Sequence, residues 1–273
     1  MAYYNELANV LDVRSTYLAI VGTGDDTLMR DVIRGVSAEI EQIAHRNFVP
    51  KIETRYFDYL RDVDGASFWL DADLLAVTTL TNGDGNTIAS NKYVFEPRNR
   101  TPYFGLRLLT SGGVWWAYNQ DTENAVSING VWGYHTDYTN AWQSVDTLGA
   151  NTTDTATSLT TTGSALLKAG NLVKIDSEYL YVSAVSTTTA TVTRGVNGST
   201  AAAHSNTASI SVWMPDASLV QLAKETAAAR YRLRENPLAE TIVIDGNSFA
   251  TPKDVTKYIT TRLQDLGMVR NTL

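Results

Sequence analysis

The spacing of apolar residues changes period twice along this chain, and that restricts the folds open to it. Across residues 25–46, DDTLMRDVIRGVSAEIEQIAHR places Leu28, Val32, Val36, Ile40 and Ile43 three or four apart, with charges opposite. This predicts an amphipathic helix. Asp25 and Asp26 suit its start, where carboxylates accept free backbone N–H bonds, and Arg46 suits its end. A shorter helix is expected within NELANVLDVRSTYLA.

After Pro50 the period drops to two. IETRYFDYL alternates, SFWLDADLLAVTTL and NKYVFEP flank the turn-rich TNGDGNTIAS, and YFGLRLL and VWWAYN follow on either side of TSGG. AVSINGVWGY adds a segment rich in β-branched and aromatic residues. These segments predict strands of an antiparallel sheet.

From residue 143 to 213 charges thin out and threonine dominates, as in NTTDTATSLTTTGSA. A disordered linker would have the same composition. The regular beats at Leu172, Val173, Ile175, Tyr179, Tyr181, Val185, Val192 and Ile210 instead favour a small β-module, whose first ten or so residues are expected to be a linker. Helical spacing then returns with Leu219, Leu222, Ala223, Ala227 and Tyr231 on one face, followed by Arg230, Arg232 and Arg234 near the helix end. The last segment, TPKDVTKYITTRLQDLG, carries Thr251 as N-cap, Pro252 at N1, Asp254 closing a capping box, and Gly267 as the stop. Its stripe is Val255, Ile259, Leu263 and Leu266.

The fold class expected is α+β: N- and C-terminal helices around an antiparallel sheet, interrupted by a small all-β insertion domain. The corresponding division is 1–142, 143–213 and 214–273. Insertion at a loop is tolerated because closing a longer loop costs little entropy.

Composition excludes several chemistries. The 273 residues include no cysteine, so disulfides, thiolate metal sites and thiol nucleophiles are ruled out. His45, His135 and His204 share no metal-ligand spacing, and no cofactor or metal is expected. His204 is read as pinning its loop through a backbone carbonyl. GTGDD and NGDGN lack the phosphate-loop and calcium-loop registers, and no G-x-S-x-G elbow is present. The pairs Asp62/Asp64 and Asp71/Asp73 read as solvated surface rather than as glycosidase carboxylates. The chain is therefore not expected to be an enzyme. No export signal or membrane span is expected. The net charge of −7 argues against a free surface that grips nucleic-acid phosphates.

Aromatic density in GGVWWAYN, GVWGYHTDYTNAW and SVWMP fits core packing or a subunit interface, and alternatively a glycan-stacking surface.

Several of these segments together resemble a known family. DDTLMRDVIRGVSAEIEQIAHRNFVPKIETRYFD, SFWLDADLLAVTTLT and VSINGVWGYH, in this order, resemble the tailed-phage head-tail connector (adaptor, head completion) proteins. The segment VKIDSEYLYVSAV…TATVTRGVNGSTAAAHSNTASISVW is similar to a small β-module of phage structural proteins, and PDASLVQLAKETAAARYRLR resembles the helix that follows in the connector family. The resemblance implies a virion protein made in the host cytoplasm. It would be a subunit of a dodecameric ring beneath the portal protein, extending the DNA channel without gripping DNA and offering a platform to a stopper or tail-completion protein. Candidate subunit or portal contacts are Trp115, Trp116, Trp132, Tyr134, Arg230, Arg232, Arg234, Val255, Ile259 and Leu263. The alternative reading is a carbohydrate-binding surface or tail module using exposed Trp and Tyr.

Overall fold

A computed structural model describes residues 3–235 and 241–270. The fold is α+β, with helices at both ends of the chain and antiparallel sheets between them. Two compact units divide it: Met1–Val49 with Ala141–Leu273, and Pro50–Asn140. This division differs from the one read from sequence. The first sheet forms its own unit, and the Thr-rich module belongs with the helices.

In chain order, α1 (Val10–Asp12) runs on as a π-helix, Val13–Leu18, and α2 spans Asp26–Ala44. The buried stripe of α2 is Met29, Ile33, Val36, Ile40 and Ala44. Leu28, Val32 and Ile43, also expected there, lie half-buried beside it. Asp25 makes no side-chain cap; its carboxylate instead accepts the Tyr231 hydroxyl at 3.1 Å, while Asp26 pairs with Arg14 at 2.6 Å.

The unit Pro50–Asn140 holds β1 (Lys51–Phe57), α3 (Tyr59–Asp62), β2 (Val63–Asp64), β3 (Ser67–Thr81), β4 (Tyr93–Glu96), β5 (Tyr103–Leu108) and β6 (Val126–Trp132). The sheet order is β1-β6-β3-β5-β4, with β2 paired to β3. β3 shifts register three times and, besides β2 at its start, pairs with β5 through its first half and with β6 through its second. Gly130 makes this possible: a Cβ there would collide with the Ala76 carbonyl and meet Leu74 Cδ1 at 3.1 Å. Phe57, Phe68, Leu74, Leu106, Ile128 and Trp132 fill the core. VWWAYN, expected as a strand, is instead loop.

In the other unit the segment expected to be a linker is strand β7 (Trp142–Thr147). It is followed by β8 (Ser158–Thr160), β9 (Leu172–Ile175), β10 (Glu178–Ser186), β11 (Thr189–Thr193) and β12 (Ser209–Trp213). Their order, β7-β12-β9-β10-β11-β8, closes on itself: Leu148 bridges Thr161, Gly149 N donates to Thr160 O at 2.9 Å, and Thr162 N donates to Thr147 O at 3.1 Å. Closure removes exposed sheet edges and encloses Leu148, Leu159, Val173, Leu180, Val182, Val192 and Ile210. Asp146 pins the seam, accepting from Thr162 N and Oγ1 and from Ser164 N. Burial disfavours its charge, but these bonds prevail and hold its carboxyl below the usual range.

β10 is buried on both faces. Leu180 and Val182 point into the barrel, while Tyr181 stacks on Tyr4 with ring centres 4.1 Å apart. Residues 3–7 form a strap between barrel and helix. Asn197 bonds the Tyr4 backbone through both its oxygen and its nitrogen, at 2.8 and 3.0 Å. Glu41 accepts from Tyr3 and Asn5, Ser37 accepts from Leu7 N, and Glu6 accepts from Arg34 and Tyr181. These contacts tie the Thr-rich module to α2.

Helix α4 (Ala217–Glu235) is buried nearly all round: Leu219, Leu222, Ala223, Ala227, Ala228, Ala229 and Tyr231 are all at most 2% exposed. A hairpin of β13 (Ile242–Ile244) and β14 (Asn247–Phe249) follows, then α5 (Pro252–Asp265). Thr251 and Asp254 form the expected capping box, and Gly267 follows the helix with φ of 64°.

Candidate functional site

The residues expected at an interface fall into two sets. Val255, Ile259 and Leu263 are fully buried in the chain's own helical core, so they present nothing to a partner. Trp116 and Trp132 are also core residues. Their indole N–H groups donate to Ala66 O at 3.0 Å and Glu53 O at 3.1 Å, and Arg55 lies over the Trp132 ring at 4.6 Å. Arg230 bonds Glu39 and Thr256, and Arg232 donates to Tyr17 O at 3.0 Å. Tyr134 is half-buried. That leaves Trp115, 61% exposed, and Arg234 facing solvent.

Trp115 belongs to a surface that sequence reasoning only partly saw. Asn82, buried at the end of β3, donates through Nδ2 to Trp115 O at 2.9 Å and accepts at Oδ1 from Gly83 N and Ala117 N. It locks the 82–86 turn to the 113–118 loop, whose tip then displays Trp115 and Tyr118. Nearby, Tyr59 N donates to Thr122 O at 2.6 Å and Asn124 N to Asp58 Oδ1 at 2.9 Å, joining α3 and its exposed Leu60 to the 118–125 loop. Tyr59 and Tyr118 pack with ring centres 4.8 Å apart. Tyr56, Trp69, Phe104 and Leu109 of the same unit are also exposed. Trp69 lies against Gly105, where a Cβ would approach its ring at 3.0 Å, and it stacks on Phe104 at 6.1 Å.

The histidines serve structure. His45 caps α2 in the left-handed conformation, and His135 Nδ1 accepts from Asp137 N at 2.9 Å. His204 departs from expectation. Its ring nitrogens reach carboxylates, Asp176 Oδ2 at 2.7 Å and Glu178 Oε2 at 2.8 Å, rather than a backbone carbonyl. Glu178 also takes both arms of Arg194, at 2.8 and 2.7 Å, and the amides of Gly195 and Ala202. Arg194 in turn donates to the carbonyls of Thr153, Ala156 and Ala202. This buried knot fixes the RGVNGSTAAAH loop. Burial opposes ionisation of Glu178, but the bonds from Arg194, Ala202, His204 and Gly195 outweigh it and hold its carboxyl below the ordinary range.

Among the described residues no group of three His, Asp or Glu side chains is placed to hold a metal ion. Clefts of about 330–380 Å³ flank Tyr17 and Tyr258 and have mixed apolar and polar walls, such as Met214, Val220 and Lys224 or Phe249 and Lys257. Tyr258 lines one of them with its hydroxyl pushed up to about 12, by burial first and by the Glu225 carboxylate that it bonds at 2.8 Å. No helix among the described residues is long and apolar enough to cross a membrane. No family model, curated protein or solved structure matches the chain.

Proposed function

We propose that this chain is a non-enzymatic structural subunit of the phage head-tail connector, forming a dodecameric ring beneath the portal that extends the DNA channel and offers a platform to a stopper or tail-completion protein. The observation that carries the reading is the aromatic surface of the unit Pro50–Asn140, with Tyr56, Leu60, Trp69, Phe104, Trp115 and Tyr118 exposed on one small unit. Exposed aromatic side chains in such density favour protein interfaces. The resemblance in segment order, from the acidic helix start to VSINGVWGYH, supplies the family.

The net charge of −7 suits a ring wall that lets a polyanion pass. At a Debye length of about 8 Å the repulsion still reaches a duplex near the wall. The reading is tested by mass spectrometry and electron microscopy of particles made from the genome that encodes the chain. The protein should be present at the head-tail junction, and its absence from the particles would refute the reading. Duplex DNA should show no gel shift at physiological salt; tight, salt-sensitive binding would refute the passive channel.

A second reading, glycan binding, is favoured by the exposed Trp69–Phe104 stack. Binding to a glycan array that is lost in Trp69→Ala would support it over the ring.

A further inference from the structure

Three connecting segments of the unit Pro50–Asn140 are knit into one surface. Trp116 Nε1 donates to Ala66 O at 3.0 Å and Tyr59 N to Thr122 O at 2.6 Å, joining segment 58–66 to segment 109–125. Asn82 Nδ2 bonds Trp115 O, Gly83 bridges Tyr118, and Lys92 Nζ donates to Gly112 O at 3.3 Å, joining segment 82–92 to the same one. The surface displays Leu60, Trp115 and Tyr118, which are 76%, 61% and 47% exposed, and the Tyr59 ring backs Tyr118 at 4.8 Å. Because these loops are already ordered, a partner that docks on them loses little free energy to immobilising them.

Charge decides what fits there. The three segments carry six acids against Arg61 and Lys92, a net charge of −4, while the rest of the unit, with five residues of each sign, is neutral. Counting Arg107, just before the third segment, still leaves −3. Arg61 is occupied by Asp58 and Asp62, at 3.3 and 2.9 Å. Asp64, Asp121 and Glu123 are exposed and make no ion pair among the described residues, and Asp84 accepts from Asn86 N and Nδ2. Uncompensated carboxylates beside exposed indole and phenol rings repel acidic surfaces and attract a cation that also covers a ring face.

We propose that this surface docks an arginine-bearing segment of another protein. The guanidinium group is planar, lies on aromatic faces and pairs with carboxylates, which the compact, strongly hydrated lysine ammonium does less well. Trp115 and Tyr118 offer the ring faces, Asp121 and Glu123 the carboxylates, and Leu60 further apolar contact. The occupant is a protein segment rather than a free cation, because the apolar residues stand on separate loops that only a chain spans. The inference names the chemistry of a partner for the surface that carries the connector reading, and it rests on that surface being an interface.

Isothermal titration calorimetry on the full chain tests it, with a short synthetic peptide of alternating arginine and leucine as the probe. The peptide should bind, more weakly as salt rises, and a lysine version should bind less tightly. Trp115→Ala keeps the backbone carbonyl that Asn82 holds, and should weaken binding at least about 10-fold. Asp121→Asn/Glu123→Gln should do the same at low salt, since neither carboxylate pairs within the chain. Two controls separate the site from general attraction to an acidic protein. Trp69→Ala removes the other exposed tryptophan, and Asp137→Asn/Asp154→Asn changes the net charge equally at exposed positions elsewhere. Both should leave the affinity unchanged.

No binding by the unaltered chain, equal binding of a leucine–glycine peptide, or equal losses in the controls would each overturn the proposal. So would self-association in sedimentation velocity that Trp115→Ala abolishes, because the occupant would then be a second copy. Peptide binding by a chain absent from particles would sink the connector reading alone. Presence in particles without peptide binding would sink this docking alone.

Discussion

Replacing Arg194 by methionine keeps an apolar stem of similar length and removes the charge. The guanidinium is 6% exposed and its partner Glu178 is fully buried, so the variant strands a carboxylate inside the protein. Deleting one member of a buried pair costs about 3–5 kcal/mol, mostly because the other charge remains. The carbonyls of Thr153, Ala156 and Ala202 also lose their donor, which argues for the upper part of that range. For a unit of this size roughly 2–4 °C accompanies each kcal/mol, so the melting temperature should fall by about 6–20 °C. Scanning calorimetry is the assay, and only the transition of the unit containing the barrel should move. Adding Glu178→Met should recover part of the loss, since removing both charges leaves neither stranded. The pH dependence gives a further check. Glu178 ionises below its ordinary 4.5, so its contribution is fully present above that value and is lost as pH falls through the lower folded one. Without Arg194 this acid-dependent loss should shrink, because burial then favours the protonated carboxyl and taking up a proton relieves the stranded charge. A change under about 1 kcal/mol, or a double variant worse than the sum of the singles, would refute the reasoning.

Gly130→Val should destabilise the unit Pro50–Asn140 by about 1–3 kcal/mol or more in chemical denaturation, because the new side chain meets the Ala76 carbonyl that β3 brings against β6. Thr251→Ala should cost about 1 kcal/mol and raise amide hydrogen exchange in the first turn of α5, where its hydroxyl accepts from Asp254 N. Burial raises the Glu6 carboxyl above its ordinary 4.5 despite bonds from Tyr181 and Arg34, so the folded state holds its proton longer and stability should drop as pH climbs past that value. Melting curves of Glu6→Gln should lack this decline, and a steeper decline in the variant would contradict the assignment.

Local patterns in the sequence settle the local elements. The capping box of α5 is readable from T-P-K-D because each cap bond spans only three residues. The strands β3, β4, β5 and β6 follow from alternation because side chains on a pleated sheet repeat every two. One local signal was legible and passed over: Asp245–Gly246, both at positive φ, marks the hairpin between β13 and β14. Segments 236–240 lie outside the described residues.

What sequence could not supply depends on contacts distant along the chain. Tryptophan composition is the same whether an indole is core or surface, and only the Asn82 and Ala66 contacts send Trp115 outward and Trp116 inward. The α5 stripe looked like an interface because nothing in a single helix says what covers it; α2 and α4 do. Glu178, Arg194 and His204 are separated by up to 26 residues and meet only when the barrel closes. The division into units was decided by β10, whose Tyr181 reaches Tyr4 and Glu6 at the far start of the chain. Periodicity dictates which face of an element is apolar. Which partner buries that face is decided by the free energy of the whole fold, through desolvation of groups that no local pattern connects.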